Sequence, residues 1–333
     1  MKRNEAVINM QVERLKNVLG KLIPFGTCYA LIDFPDHSNV GDSAIWLGQI
    51  ELLLQLTGNK PSYVCTLQNF DADELLKALP SGPIIMHGGG NFGDIWLSHQ
   101  DFREMIIGRF KDRMIIQLPQ SISFSNLASV NKTARIIEQH SNYHLLVRDQ
   151  NSYEFAQQHF QCSLQLVPDS AFVIGSIKRP IQASKDVFML LRDDAERAEY
   201  DRSLLYTILN SEHADWLEEP YSFNKKTKYS AVFQAIYSGH WNKRDARLTY
   251  YQLLAQGRVN RGLKLLSNGR HIITDRLHAH ILSTLLDIPH VALDNSYGKV
   301  SSYISAWTHI YPAVQTAKTS DEALAKLNLL PKD

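Results

Sequence analysis

Ile272-Ile273-Thr274-Asp275-Arg276-Leu277-His278-Ala279-His280 is the stretch whose reading decides the fold of this chain. Residues 270–273 read as a short buried strand, and the apolar run 281–286 completes a helix. Asp275 or Thr274 is placed to cap that helix, with Arg276 and His278 in its first turn. A buried strand running straight into a helix is half of a βα unit. The turn between them lies at the carboxyl edge of the sheet, where open α/β folds bind ligands. Arginine there offers a planar fork for carboxylate or phosphate, and a helix N-terminus adds unpaired N–H groups. Histidine can exchange a proton near neutral pH. The stretch therefore reads as a place where a small anion is bound and processed. A packing reading stands beside this one. Leu277, His278, Ile281, Leu282, Leu285 and Ile288 share one apolar arc, with Arg276, His280, Ser283 and Asp287 opposite, so His278 also fits a core histidine.

Working outward, β-rich runs at 28–34, 63–67, 83–87, 113–118, 144–148 and 164–167 alternate with helical patterns at 43–56, 71–79, 99–110, 128–139 and 152–159. Alternation at this spacing means βαβ units and a mostly parallel sheet. The segment 174–180, rich in Gly, Ser, Pro and charge, reads as a linker. The pattern restarts with a strand at 186–191, joined by 271–274, 290–293 and 309–311. Helices are expected at 195–210, 244–256, 276–286 and 320–327. The fold class is α/β: an N-terminal doubly wound domain over 1–175, a linker over 176–185 and a C-terminal domain over 186–333. The middle, 212–241, carries Trp216, Tyr221, Phe223, Lys225, Lys226, Lys228 and Trp241 and fits a lid, an acceptor-binding insertion or an irregular surface loop.

Composition bounds the function. The 333 residues fit two domains of about 150 each. Hydrophobic content of 44% and charge of 21% are globular values. A net charge of +1 argues against a protein that coats nucleic acid. Cys28, Cys65 and Cys162 are widely separated with no CxxC, which suits a reducing cytosol and offers no thiolate cage. Residues 1–22 form an amphipathic helix rather than a signal peptide, and no apolar run is long enough for a transmembrane segment, so a cytoplasmic protein is expected. No zinc-ligand spacing or Gly-x-Ser-x-Gly elbow occurs, and neither a metal nor a cofactor is expected.

Other strand ends carry candidate chemistry. In the first βα turn Asn39 and Asp42 can bond a polyol and Gly41 permits close approach; a capping loop with Asp42 as N-cap fits equally. The third turn, Gly88-Gly89-Gly90-Asn91, reads as a flexible loop whose successive N–H groups form an anion nest. It lacks the Lys-Ser/Thr of a P-loop. Gln120 ends the fourth strand. Arg148 emerges at the end of the fifth, either facing a ligand or pairing on the surface with Asp149 or Glu154.

Taken in order, Asn39-Val40-Gly41-Asp42-Ser43-Ala44-Ile45, Gly88 to Asp94, Pro119-Gln120-Ser121-Ile122, Val147-Arg148-Asp149 with Ser152, Arg276-Leu277-His278-Ala279, and the closing part from Ile288-Pro289 to Lys299 resemble the polysaccharide pyruvyl transferase family. The resemblance implies two Rossmann-like domains facing across a cleft, as in GT-B glycosyltransferases. It implies transfer of the enolpyruvyl group of phosphoenolpyruvate to two hydroxyls of a sugar, giving a pyruvate ketal and phosphate, with an acceptor that is free or lipid-linked. Arg148, Arg276 and His278 would surround phosphoenolpyruvate, and Leu277 would line the pocket. Asn39, Gly41, Asp42, Gly88, Gly89, Gly90, Asn91, Gln120 and Lys299 are carried over as substrate-binding positions. His278 is the expected acid/base, its direction open. Two other readings compete: a GT-B glycosyltransferase using a nucleotide-sugar, although no base or ribose signature follows Ser267-Asn268-Gly269, and a non-catalytic glycan- or anion-binding protein.

Overall fold

A computed structural model describes residues 3–193, 200–220, 222–237, 243–294 and 298–331. Its first sheet holds β1 (Ala30–Ile32), β2 (Tyr63–Cys65), β3 (Ile84–Met86), β4 (Gly89–Gly93), β5 (Ile115–Ser123), β6 (Tyr143–Val147) and β7 (Ser163–Leu166). Helices α1 (Glu5–Leu22), α2 (Val40–Thr57), α3 (Ala72–Ala78), α4 (Leu97–Arg109), α5 (Leu127–Glu138) and α6 (Gln150–His159) precede and connect these strands. The second sheet holds β8 (Lys185–Leu190), β9 (Ser211–Ala214), β10 (Gly269–Thr274), β11 (His290–Leu293) and β12 (Val314–Ala317). With it run α7 (Phe223–Tyr237), α8 (Lys243–Ser267), α9 (Leu277–Leu285), α10 (Lys299–Tyr303) and α11 (Ser320–Leu327).

Every strand pairing is parallel. The orders are β2-β1-β3-β5-β6-β7, with β4 beside β5, and β12-β11-β10-β8-β9. Each sheet thus reverses direction where its first strand meets a later one, at β1/β3 and at β8/β10, and doubly wound sheets open a ligand crevice at that point. Period-two side-chain alternation explains why both faces are covered. Ala30 and Ile32 join one apolar cluster while Leu31 joins the other. In the second sheet Phe188 and Leu190 face one way, and Val187 and Met189 the other.

Three helices hold the two sheets together by contributing to cores on both. Helix α1 places Val7 and Ile8 with the second sheet, and Leu15 and Leu19 with the first. Val40 and Ala44 of α2 likewise face the second sheet, while Trp46 and Leu53 face the first. Helix α8 divides in the same way between Leu263 and Leu266 on one side and Leu248, Tyr251 and Leu254 on the other. At about 1.5–3 kcal/mol for each large apolar side chain fully buried, these shared helices are a substantial link. The contact is close: a Cβ at Gly262 of α8 would lie 2.4 Å from Val40 of α2.

Several sequence expectations are corrected. The triple-glycine turn is not a loop, because β5 runs on to Ser123 and offers an edge on which Gly89–Gly93 pairs as a strand. The helix expected at 244–256 is the first half of the 25-residue α8. Of the expected helix at 195–210, residues 194–199 lie outside the described residues, and the rest holds a 3-10 turn, Leu205–Thr207. Residues 309–311 are not a strand; a π-helical turn, Ile304–Thr308, precedes them and the edge strand is β12. Tyr221 and Trp241 lie outside the described residues; of the rest, Ser211–Ala214 is strand β9 and Phe223–Tyr237 is helix α7, with irregular chain at 215–220.

Asp275 does not cap α9. It is fully buried and accepts from Arg192 N, Tyr200 Oη and Arg202 Nη2 at 2.7, 3.0 and 3.0 Å. The cap position belongs to Arg276, whose N–H donates to Thr274 Oγ1 at 3.0 Å. Nor does α9 have a solvent side, since every residue in it is buried, His280 and Ser283 included.

His280 therefore needs a partner inside the core and finds a chain of them. His290 Nδ1 lies 2.8 Å from the Ile288 carbonyl, His290 Nε2 2.7 Å from His280 Nδ1, and His280 Nε2 2.9 Å from Thr308 Oγ1. A carbonyl only accepts, so His290 carries its hydrogen on Nδ1. His280 then donates from Nδ1, and Thr308 donates to its Nε2. Both rings are neutral, and a further proton would put a charge into the core beside a second ring instead of a carboxylate. Burial pushes His290 down to about 4, and burial followed by the neighbouring ring lowers His280. With folded values below the ordinary 6.5, this contribution to stability is complete above pH 6.5 and is lost as pH falls toward 4. For His290 the loss reaches about 3 kcal/mol by pH 4. Thermal melts of the wild type and His290→Gln at pH 7 and pH 4.5 check this: the variant should show the smaller difference in Tm, and equal differences would contradict it.

Candidate active site

A cavity of about 400 Å³ opens where carboxyl ends of strands from both sheets meet. The β1–α2 turn, Gly90 and Asn91 of β4, and Arg148 after β6 enter it from the first sheet. Arg192 after β8, Arg276 to His278 after β10, and Lys299 of α10 enter from the second.

At its centre is a buried carboxylate. Asp169, which follows β7 and caps a 3-10 turn, accepts from Arg148 Nη1 at 2.6 Å and lies 3.4 Å from His278 Nε2. Its other oxygen accepts from Ala171 N at 2.8 Å. Burial by itself would raise the Asp169 carboxyl. The His278 hydrogen bond and charge, the Arg148 charge and the Ala171 N–H outweigh it and hold the group well below the usual carboxylate range. Because the carboxylate can only accept, the hydrogen of His278 belongs on Nε2. The 3.4 Å approach of Arg148 Nη1 to that nitrogen is then two donors sharing one acceptor. Arg148 is also held by Ser121, which accepts from Nε at 2.9 Å and donates to Asp149 at 2.6 Å. The Nη2 amino group makes no further hydrogen bond among the described residues and faces Gly90. Arg148 is thus neither a surface arginine nor paired with Glu154.

Glycines let the charged groups come close. A Cβ at Gly41 would lie 2.3 Å from His278 Nδ1, so the imidazole rests directly on the backbone of α2. A Cβ at Gly90 would lie 3.2 Å from Arg148 Nη2 and 4.0 Å from Lys299 Nζ, which places two cations over one glycine. Of the three expected nest glycines only Gly90 lines the cavity. Gly88 instead packs under the chain at Pro119, where a Cβ would lie 2.6 Å from the Pro119 carbonyl, and Gly89 has a φ of +138° beside Asp42. The nest is replaced by side-chain cations above a strand.

Asn39, not Asp42, caps α2: its Oδ1 accepts from Gly41 N at 2.9 Å while its Nδ2 donates to Asp42 at 2.9 Å. Asp42 is left to face the cavity. Burial opposes its charge, but His37, His278, His87 and Arg148 together lower its carboxyl. Gln120 stands behind the cavity wall. It donates to Asn91 Oδ1 at 2.9 Å, as does Arg103 Nη2 at 2.7 Å, so the Asn91 oxygen is occupied and its amino group is what the cavity receives. Arg276 lines the cavity with Nη2 on Asp215 at 2.7 Å, and Leu277 lies beside it.

Nine of the thirteen residues read from sequence line the cavity; Gly41, Gly88, Gly89 and Gln120 act from behind it. Sequence reading missed Asp169, Asp215, His37, Trp96, His99, Arg192, Trp216 and Leu217. Asp169 had a legible signal, since Pro168-Asp169-Ser170 leaves β7 at the same sheet edge as Arg148 leaves β6. The alanine at Gly41 tests the geometry. Gly41→Ala suits a helix, worth up to about 1 kcal/mol, yet must push His278 aside. A structure of the variant should show Nε2 beyond hydrogen-bonding distance from Asp169 with α2 unchanged, and an undisturbed ring would refute the close contact.

Among the described residues no helix is long and apolar enough to cross a membrane. The sequence model described as Polysaccharide pyruvyl transferase matches residues 39–297, from the cap of α2 to just before α10. Pyruvyl transferase 1 of Schizosaccharomyces pombe is 32% identical over 300 residues, covering 84% of this chain and 69% of its own length. The provisionally named pyruvyl transferase EpsO of Bacillus subtilis (strain 168) is 30% identical over 294 residues, covering 85% and 86%. A crystal structure of the functionally uncharacterized protein KP1_0663 from Klebsiella pneumoniae shares the fold, with a TM-score of 0.60 at 16% identity over 91% of this chain and 97% of that one. With these matches spanning both sheets and the cavity between them, the chain belongs to the polysaccharide pyruvyl transferase family.

Proposed function

We propose that the protein moves the enolpyruvyl group of phosphoenolpyruvate onto two hydroxyls of a sugar in an exopolysaccharide or its precursor, forming a pyruvate ketal and releasing phosphate. The observation that carries this reading is the convergence of Arg148, Arg276, Lys299 and His278 on one small cavity. A compact trianion is matched by forked and point cations at short range, and the volume suits a small molecule with part of a sugar rather than a nucleotide-sugar. On this reading residues 1–175 and 186–333 are two Rossmann-like domains joined by 176–185, facing across a GT-B-like cleft.

The chemistry divides among the residues. Arg148 and Lys299, both close over Gly90, hold the phosphate or carboxylate, and Arg276, kept in place by Asp215, takes the other anionic group. The methylene carbon of phosphoenolpyruvate must gain a proton as a sugar hydroxyl adds to the central carbon, and His278 is the carrier. Asp169 plays the part of an orienting carboxylate: it fixes the ring and stabilises the imidazolium. On this geometry His278 is taken as the acid for the methylene carbon. We propose no metal and no cofactor, so the assay is run in EDTA.

Phosphate release from phosphoenolpyruvate, measured across galactose, glucose, mannose and N-acetylhexosamine acceptors, tests the reading. Release with a nucleotide-sugar alone, or none with any acceptor, would reject it. His278→Gln should lower kcat by about 10²–10⁴ at unchanged Tm and donor affinity; near-normal turnover would return the ring to a packing role. Arg276→Lys keeps the charge but loses the fork, and calorimetry should show donor binding weakened by about 1–3 kcal/mol.

A further inference from the structure

A second histidine with its own carboxylate enters the cavity from the other sheet. His99 of α4 lines the cavity, and its Nδ1 lies 3.1 Å from each carboxylate oxygen of Asp33. A carboxylate cannot donate, so Nδ1 carries the hydrogen and Nε2 keeps the lone pair. Asp33 directly follows β1, at the point where that sheet reverses direction, and is 5% exposed. Its φ of +68° lies in the left-handed region that side-chain-bearing residues seldom adopt. Ile32 and Phe34 on either side are buried in opposite cores, so this turn aims the carboxylate along the sheet edge at α4. Strain of this kind, held in place by tight packing on both sides, is a property of working sites. One helical turn before His99, Trp96 forms part of the same wall yet is 47% exposed, a flat apolar face of the kind that packs against a pyranose. His37, Asp42, His87, Cys65 and Arg103 are among the other titratable groups here.

We propose that His99, positioned by Asp33, is the base that takes the proton of the attacking sugar hydroxyl, and that Trp96 carries the acceptor ring at this end of the cavity. The inference rests on the pyruvyl-transfer reading and supplies what that reading lacks. His278 gives a proton to the methylene carbon, which becomes a methyl group, while the first hydroxyl bonds to the central carbon and passes its proton to His99 Nε2. The bond from the central carbon to the phosphate oxygen then breaks, its electron pair leaving with phosphate, which takes the proton from His99. The second hydroxyl bonds to the same carbon, and its proton restores His278. Two hydroxyl protons leave the sugar; one ends on the methyl group and one on phosphate.

The test uses the full chain with phosphoenolpyruvate and whichever methyl glycoside of galactose, glucose, mannose or N-acetylhexosamine the wild type turns over fastest. His99→Gln should lower kcat by about 10²–10⁴-fold, with KM for phosphoenolpyruvate within about threefold. Added imidazole should restore activity to His99→Ala. Asp33→Asn should lower kcat by a smaller factor than His99→Gln and cost nothing more when combined with it, an outcome that a merely structural role for Asp33 would not produce. Near-normal kcat in His99→Gln, a defect confined to acceptor KM, or independent losses in the double variant would overturn the base. Should His99→Gln melt below assay temperature, absence of imidazole rescue in His99→Ala overturns it equally. A wild type inert toward phosphoenolpyruvate with every acceptor would reject the function itself, and the base with it.

Discussion

The arrangement of this molecule depends on one buried charge. Asp169 is 1% exposed, and an ionised carboxylate in that position is tolerable only if it is paired and hydrogen-bonded. The carboxylate's side-chain partners come from distant parts of the chain, Arg148 from the end of β6 and His278 from α9, while the backbone N–H of Asp169 donates to the hydroxyl of Tyr303 of α10 at 3.1 Å. Tyr303 in turn donates to Gln11 of α1 at 2.8 Å. Removing Arg148 would leave the carboxylate short of its nearest counter-charge, and breaking such a pair costs about 3–5 kcal/mol. The same contacts that keep the site's cations and imidazole in register thus also join both sheets.

Rigidity around that charge comes from α1, α2 and α8, each of which buries side chains in cores on both sheets. A hinge between the sheets would have to shear three helices at once. The cavity is therefore held open by packing, and its glycines are spent where backbone must meet a ring or a guanidinium. Gly41 lies under His278 and Gly90 under Arg148 and Lys299, positions where a methyl group would displace those side chains. Gly48 shows the same economy away from the site: a Cβ there would lie 2.0 Å from the Ser170 carbonyl, in the turn that Asp169 caps.

Histidines illustrate how environment sets role. His280 and His290 form a neutral buried chain closed by a carbonyl and a hydroxyl. His87, pushed down to about 4 by burial, bonds Gln49 Oε1 at 2.8 Å. His278 and His99 differ in one respect, that each faces an aspartate and the cavity together. Two rings two residues apart on one helix, 278 and 280, thus face the cavity and the core respectively.

Much of this was legible in the sequence. Strand–helix alternation, the helix limits of the first sheet and the emergence of Arg148, Arg276 and His278 at sheet edges follow from local patterns: period two, period 3.6 and turn chemistry. Local patterns also misled where the neighbourhood decided. The triple glycine became a strand because β5 extends far enough to pair with it. Asp275 lost its capping role because Arg202 and Tyr200 surround it, and α9 is buried on every side because α2, α8 and the 3-10 turn after Asp169 pack around it. Only the tertiary structure paired Asp169 with His278, Asp33 with His99 and Asp215 with Arg276. Sequence periodicity records which face of an element is apolar. Which charge meets which across a cavity depends on strand order and on contacts spanning more than a hundred residues, such as the 130 between Arg148 and His278, and no local signal carries that information.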